Sequence, residues 1–239
     1  MADEWVVVKG RRRASRSAKQ AWTANAQRPP ISSDTTPRDK DIAKLLNDIK
    51  NARAGLCESA FYSSLLGVLT KAITLSKVQR LVTYGLGSFA QPGSAHIRYQ
   101  AALMIQLSVL MPNLRSPPES YDPVYTSLDK VVLSSLGTRV LAIDQRGERV
   151  AHEPTFFYMP HCEIELTLAL LACNLASGTL QNVMILGNSL SQYRDRFSMT
   201  KRMESLLLSI RVHELRCPEH GFPVTSAFND MSIHAFSVS

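Results

Sequence analysis

The sequence predicts an α/β domain built on a single, mostly parallel sheet with helices on both faces. Three observations point there. From residue 78 onward, short apolar runs alternate with stretches of helical periodicity. Polar or glycine-bearing turns succeed the apolar runs, where an open parallel sheet places its ligands. The 239-residue chain is also 45% hydrophobic and 20% charged, enough to bury a core without disulfide or metal staples. That composition excludes a wholly disordered, collagenous or coiled-coil chain.

Residues 1–36 predict a disordered basic tail. Arg11-Arg12-Arg13, Arg16 and Lys19 share it with Ser, Thr, Asn and Pro29-Pro30. Residues 1–40 carry +5 of the net charge of +7. Lys9–Arg13 suits a nuclear address or weak, salt-sensitive contact with nucleic acid. Trp5-Val6-Val7-Val8 is the exception, a short apolar plug suited to a sheet edge. No run reaches the roughly 18 apolar residues of a membrane span, and no signal peptide opens the chain, so a soluble protein with no membrane partner is expected.

The folded domain is expected over 37–239, with a helical extension at 37–70 and the sheet core at 77–239. Thr36 suits an N-cap and Pro37 the first helical position. Ile42, Leu45, Leu46 and Ile49 come next at helical spacing, and a second helix is expected over Glu58–Thr70. Strands are then expected at Val78–Tyr84, Ser116–Tyr121, Arg139–Ile143, Thr155–Met159, Val183–Leu186, Ile210–Leu215 and Ser232–Phe236. Pro117-Pro118 makes the second of these a poor strand. Helices are expected at His96–Leu110, Val124–Leu136, Glu163–Leu175 and Met199–Leu208. No long helix separates the last two strands, which suggests an antiparallel addition at one sheet edge, as in methyltransferase-like, Rossmann-like sheets.

The candidate site is read from the turns at the carboxyl ends of the strands. Gly85-Leu86-Gly87-Ser88-Phe89-Ala90 fits a loop whose backbone N–H groups meet a phosphate or carboxylate. Tight turning alone would also use these glycines. Residues 59–118 hold no Asp or Glu but contain Lys71, Lys77, Arg80, Arg98 and Arg115, a bias that fits an anion. Asp122 stands where nucleotide folds place a ribose acid, and equally where an N-cap belongs. His161 and Glu163 are the candidate catalytic pair, with the imidazole as general base. Gly85, Gly87, Ser88, Asp122 and Asn188 are the candidate cofactor-binding residues. Arg98, Asn229, Asp230 and His234 complete the expected pocket, although His234 also fits an outward-facing strand position. Cys57, Cys162, Cys173 and Cys217 show no CxxC spacing and read as reduced thiols. Cys217, with His213 and His220, is a minor candidate for metal or haem contact.

Taken in order, Tyr84–Phe89, Arg98-Tyr99-Gln100, Tyr121–Tyr125 with Leu128-Asp129, Phe157–Glu163, Leu186–Ser189 and Phe228–Asp230 with His234 resemble the SRR-like (sensitivity to red light reduced) family. Glu4–Val8 and the arginine run after it resemble the tail of that family. Pro117-Pro118 departs from its more apolar second strand. The resemblance implies a cytoplasmic and nuclear regulatory protein tied to circadian-clock gene expression and haem biosynthesis, acting through protein partners or a bound metabolite. A group-transfer enzyme using S-adenosylmethionine or a nucleotide is the alternative, and a haem sensor the third.

Overall fold

The computed structural model describes residues 6–7, 36–196 and 200–239. The expected tail therefore lies outside the described residues, except at Val6–Val7. In chain order the elements are β1 (Val6–Val7), α1 (Asp39–Cys57), α2 (Ala60–Ala72), β2 (Arg80–Tyr84), α3 (Ala95–Leu110), β3 (Glu119–Tyr121) and α4 (Ser127–Ser135). Then come β4 (Arg139–Val140), β5 (Thr155–Met159), α5 (Ile164–Ala176), β6 (Val183–Asn188), α6 (Leu190–Arg196), α7 (Lys201–Leu208), β7 (Ile210–Arg216) and β8 (Met231–Val238).

The eight strands form one sheet in the order β1-β7-β8-β6-β5-β2-β3-β4. The ladders joining β4, β3, β2, β5 and β6 are all parallel. Strand β8 runs antiparallel to both β6 and β7 and sits between them. This is a methyltransferase-like Rossmann sheet. The antiparallel strand is thus inserted one place in from where a simple edge addition would put it. The edge itself is taken by β1, which pairs antiparallel with β7 through Val6↔Glu214 and Val7↔His213.

Alternation of side chains across the strands divides the core in two. Leu81, Phe156, Tyr158, Leu186 and Ile233 face α1–α4. Val82, Tyr84, Phe157, Met159 and Ile185 face α5, α6 and α7. Central β5 is buried at every position, as a strand covered on both faces must be. The expected helical extension is no appendage, because Leu45, Ile49, Leu56, Leu65 and Leu69 belong to the first core.

Local chemistry moves several boundaries. Helix α1 starts two residues later than Thr36-Pro37 suggests, with Arg38 at its N-cap position. Helix α2 starts at a Ser59 cap, whose hydroxyl accepts from Tyr62 N–H at 3.1 Å. Pro117-Pro118 shortens β3 to three residues, and β4 keeps only two of the five expected. Helix α6 has no counterpart among the expected elements: its seven residues carry only Leu190 as a buried side chain, too few for a periodic signal.

Candidate functional site

The loops at the carboxyl ends of the parallel strands bring the candidate residues to one side of the sheet, in two groups. The first surrounds the glycine loop after β2. Gly85 has φ +71 and Gly87 φ +78, a region that L side chains rarely adopt. A Cβ at Gly85 would collide with Cys162 Sγ, so this glycine is also required by close packing.

Three of the loop amides, those of Gly85, Gly87 and Ala90, are already engaged. Gly85 N–H donates to the Tyr121 carbonyl at 3.3 Å. Asp122 Oδ2 accepts from Gly87 N–H at 2.7 Å, and its Oδ1 accepts from Val124 N–H at 2.9 Å. Burial raises the Asp122 pKa above the usual carboxylate range, while these two N–H groups pull the other way. Ser88 Oγ donates to Asp129 at 2.6 Å, and Ala90 N–H donates to the same carboxylate at 2.9 Å. Arg98 Nε donates to the Phe89 carbonyl at 3.1 Å, and its guanidinium lies 3.3 Å from Asp48 on α1. Arg80 and Arg115 both pair with Glu153. Much of the basic bias of 59–118 is therefore answered by acids from elsewhere in the chain.

Beside this group, a cavity of about 330 Å³ opens at the ends of β3 and β4. Tyr121, Asp122, Tyr125, Lys130 and Leu141 line it. Its volume lies at the small end of ligand pockets.

The second group lies at the ends of β5, β6 and β8. His161 is held at φ 53 and Asp230 at φ 58, both in the left-handed region. Burial lowers the His161 pKa, so the ring is neutral at neutral pH; the carbonyls of Ala227 and Ser226 lie against it. Asn188 Nδ2 donates to the Cys162 carbonyl at 2.8 Å, fixing the loop that carries His161. Glu163 is exposed at the N-cap position of α5 and makes no side-chain cap bond. Asn229 is exposed and donates to Asp230, which also meets Arg196 at 3.4 Å. His234 is buried, 1% exposed, on the α5–α7 face. It does not face outward as its strand position also allowed.

Three buried acids carry no assignment from the sequence: Glu119 (paired with Arg139 and Arg149), Asp129 and Glu214. Asp129 is fully enclosed and gathers Ser88, Ala90 and Thr126 onto one carboxylate. Its signal is the Thr126-x-x-Asp129 spacing of a capping box. Glu214 accepts from Ser189 Oγ at 2.5 Å and Ser191 N–H at 3.0 Å, with His234 Nε2 3.7 Å away. Burial pushes its carboxyl up, but His234 and Ser189 outweigh that and hold it at about 2. Nothing local in the strand pattern marks Glu214, because its partners come from the turn between β6 and α6, from α6 and from β8.

The cofactor candidates can be tested against this geometry. Of the loop amides a pyrophosphate could use, those of Gly85, Gly87 and Ala90 are already taken by Tyr121, Asp122 and Asp129. A nucleoside-sized group fits the cavity beside Asp122 by volume. Haem ligation by Cys217 does not fit: the thiol is 5% exposed, and burial pushes its pKa far above the ordinary range. Among the described residues, no group of three or more His, Cys, Asp or Glu could hold a metal ion. No helix among them is long and apolar enough to cross a membrane.

Comparison with known proteins gives concordant results. The SRR1 domain matches residues 59–235, from the start of α2 into β8. The chain is 28% identical to "Protein SENSITIVITY TO RED LIGHT REDUCED 1" of Arabidopsis thaliana, over 98% of this chain and 91% of that one. It is 38% identical to an "SRR1-like protein" of Mus musculus, over 49% of this chain and 47% of that one. Among solved structures, a mutant of MtNAS in complex with S-adenosylmethionine aligns at 14% identity and a TM-score of 0.44, covering 84% of this chain and 76% of that one.

Proposed function

The chain belongs to the SRR1 domain family, and from that premise we propose that it is a regulatory protein that acts by binding rather than by turnover. The process is the light- and clock-linked control of gene expression, with haem biosynthesis beside it, that the family resemblance implies. Its setting is the cytoplasm and nucleus, and its partners are proteins. The observation that carries the reading is the 2.7 Å bond from Gly87 N–H to Asp122, which ties the glycine loop to the chain's own carboxylate. The Gly87 amide is thereby taken up by the chain itself and not offered to a cofactor phosphate. Further support comes from the rim of the neighbouring cavity. Val124 and Ile143, 48% and 76% exposed, adjoin Pro123 and Ala142, giving an apolar contact beside Asp122.

A second reading, a group-transfer enzyme, is favoured by the cavity itself. There Asp122 would hold a ribose, Asn188 and Gly85–Ser88 would shape the cofactor end, and His161 would serve as the base.

One pair of measurements separates the two. Calorimetry on the full chain is run with S-adenosylmethionine, adenine and nicotinamide nucleotides, and haem, and repeated on an Asp122→Asn, His161→Ala double variant. In parallel, variants are tested for rescue of a clock-gene reporter in cells lacking the protein. The regulatory reading expects rescue to survive the double variant and to fail with Val124→Glu, Ile143→Glu. Micromolar binding of one ligand, lost together with rescue in the double variant, would replace it with the enzyme reading.

A further inference from the structure

The stretch 59–118, which contains no Asp or Glu, does not spend all of its positive charge inside the fold. Arg98 is answered by Asp48, and Arg80 and Arg115 share Glu153. Lys77 is exposed, and among the described residues no acid pairs with it. Lys77 and Arg115 line one cavity of about 510 Å³, together with Ser76, Gln79, Asn113 and Pro154. That volume lies within the range of small-molecule sites. Gln79 and Pro154 immediately precede β2 and β5, so the cavity opens at the amino ends of the parallel strands. The glycine loop, Asp122 and the cavity beside them lie at the opposite end of the sheet.

The walls are fixed before any ligand arrives. Gln79 N–H and Arg80 N–H both donate to the Pro154 carbonyl, at 2.8 and 3.2 Å. Arg115 N–H donates to the Gln79 carbonyl at 2.9 Å, and Asn113 Nδ2 donates to the Ser76 carbonyl at 2.7 Å. Three separate segments are thus laced into one frame, which lowers the ordering cost of binding. The charge of that frame is one-sided. No acid is among the side chains that line the cavity. Glu153, next to Pro154, is divided between Arg80 Nε and Arg115 Nη1, so one negative charge faces two guanidiniums. A guanidinium has five N–H donors, and Glu153 takes Arg115 through Nη1 at 3.0 Å, which leaves the rest of its fork for a ligand. Buried Glu119 is taken by Arg139 and Arg149, with Arg80 Nη1 4.0 Å away. Lys77 and four arginines therefore stand against two carboxylates at this end of the sheet.

From this we propose that the cavity at the amino ends of β2 and β5 binds the phosphate monoester group of a small hydroxylated metabolite. Lys77 and Arg115 meet the phosphate oxygens, and the Ser76 hydroxyl and Gln79 amide meet hydroxyl groups on the body of the ester. A phosphate monoester carries roughly −1.5 to −2 charges at pH 7 and three strong acceptor oxygens, which an ammonium and a guanidinium fork match. The surplus of cations outweighs the single charge of Glu153. The proposal goes beyond the regulatory reading, which assigns no ligand; its failure would leave the reporter rescue untouched.

The test titrates the full chain with glucose 6-phosphate, followed by calorimetry and by the backbone amide signals of residues 76–79 and 113–115 in NMR. Glucose controls for the body without charge, and inorganic phosphate for charge without the body. Saturable movement of those signals by glucose 6-phosphate, weaker movement by phosphate and none by glucose are expected. Lys77→Gln, an exposed change, should weaken the ester about tenfold. Adding Arg115→Gln should abolish its binding while the spectrum stays dispersed. Lys130→Gln, which removes the same charge at the other end of the sheet, should leave the affinity as it was. No movement at 76–79 and 113–115 would overturn the proposal. So would equal movement by glucose, or phosphate binding as tightly as the ester. Equal losses in Lys77→Gln and Lys130→Gln would overturn it too, since they would show diffuse attraction to a chain of net charge +7.

Discussion

Glu214 carries a charge in a nearly water-free place, and its surroundings decide what that does to stability. The residue is 3% exposed, yet two serines and His234 keep its carboxyl at about 2. An unfolded glutamate titrates near ~4.3. Because the folded pKa is depressed, this contribution is fully present above the unfolded value and is lost as pH falls through the folded one. Acid denaturation monitored by circular dichroism should show stability draining away between about pH 4.5 and pH 2. A Glu214→Gln variant should start less stable at neutral pH and lose that part of the acid dependence. An unaltered acid profile would mean that the carboxylate is not ionised in the folded protein. The same cluster reaches α6, since Ser191 N–H donates to Glu214, so the variant should also loosen residues 190–196 in hydrogen exchange.

At the level of elements, the glycine loop and α4 are held as a unit by one side chain. Asp129 closes a capping box with Thr126 and accepts from Ser88 Oγ and Ala90 N–H on the loop after β2. Asp129→Ala would strand these donors in a buried place. Each buried unsatisfied group costs about 1–3 kcal/mol, so a loss on the order of 3–5 kcal/mol is expected from urea unfolding. Asp129→Asn keeps the shape and part of the bonding, and should lose less. Elements of this kind show where sequence reasoning stops. Strand β5 and helix α3 are legible because continuous apolar runs report burial directly. Glycine-loop geometry is legible too, since positive φ selects glycine. Asp122 stands out as a candidate, but its bond to Gly87 spans 35 residues in sequence, and no periodicity encodes such a contact. Helix α6 and the buried state of His234 are hidden for the same reason. Each depends on chain segments that meet only after β8 has inserted between β6 and β7.

Across the whole molecule, the two sides of β7 differ greatly in strength. On its inner side β7 pairs with β8 along its full length, from Ile210↔Val238 to Arg216↔Ser232. On its outer side, among the described residues, β1 matches two positions, Glu214 and His213. At about 1 kcal/mol net per hydrogen bond, so short a ladder holds by roughly 1–2 kcal/mol and is readily displaced. Among the described residues, β1 covers the outer rim of β7 only at Glu214 and His213, and an uncovered sheet edge is a template for pairing with another chain. Arg211 and Arg216, both exposed on this strand, oppose that pairing by charge. Removal of residues 1–35 takes away the β1 ladder and should lower unfolding stability by about 1–2 kcal/mol for its two described positions. It should also make the molecular mass rise with concentration in light scattering. A synthetic peptide spanning residues 1–12 should bring the mass back to that of the monomer, and Val6→Pro, Val7→Pro in that peptide should block the effect, because proline removes the N–H donors of the ladder. A truncated chain that remains monomeric at every concentration would show that the arginines alone protect the edge, and that β1 is dispensable for keeping the sheet to itself.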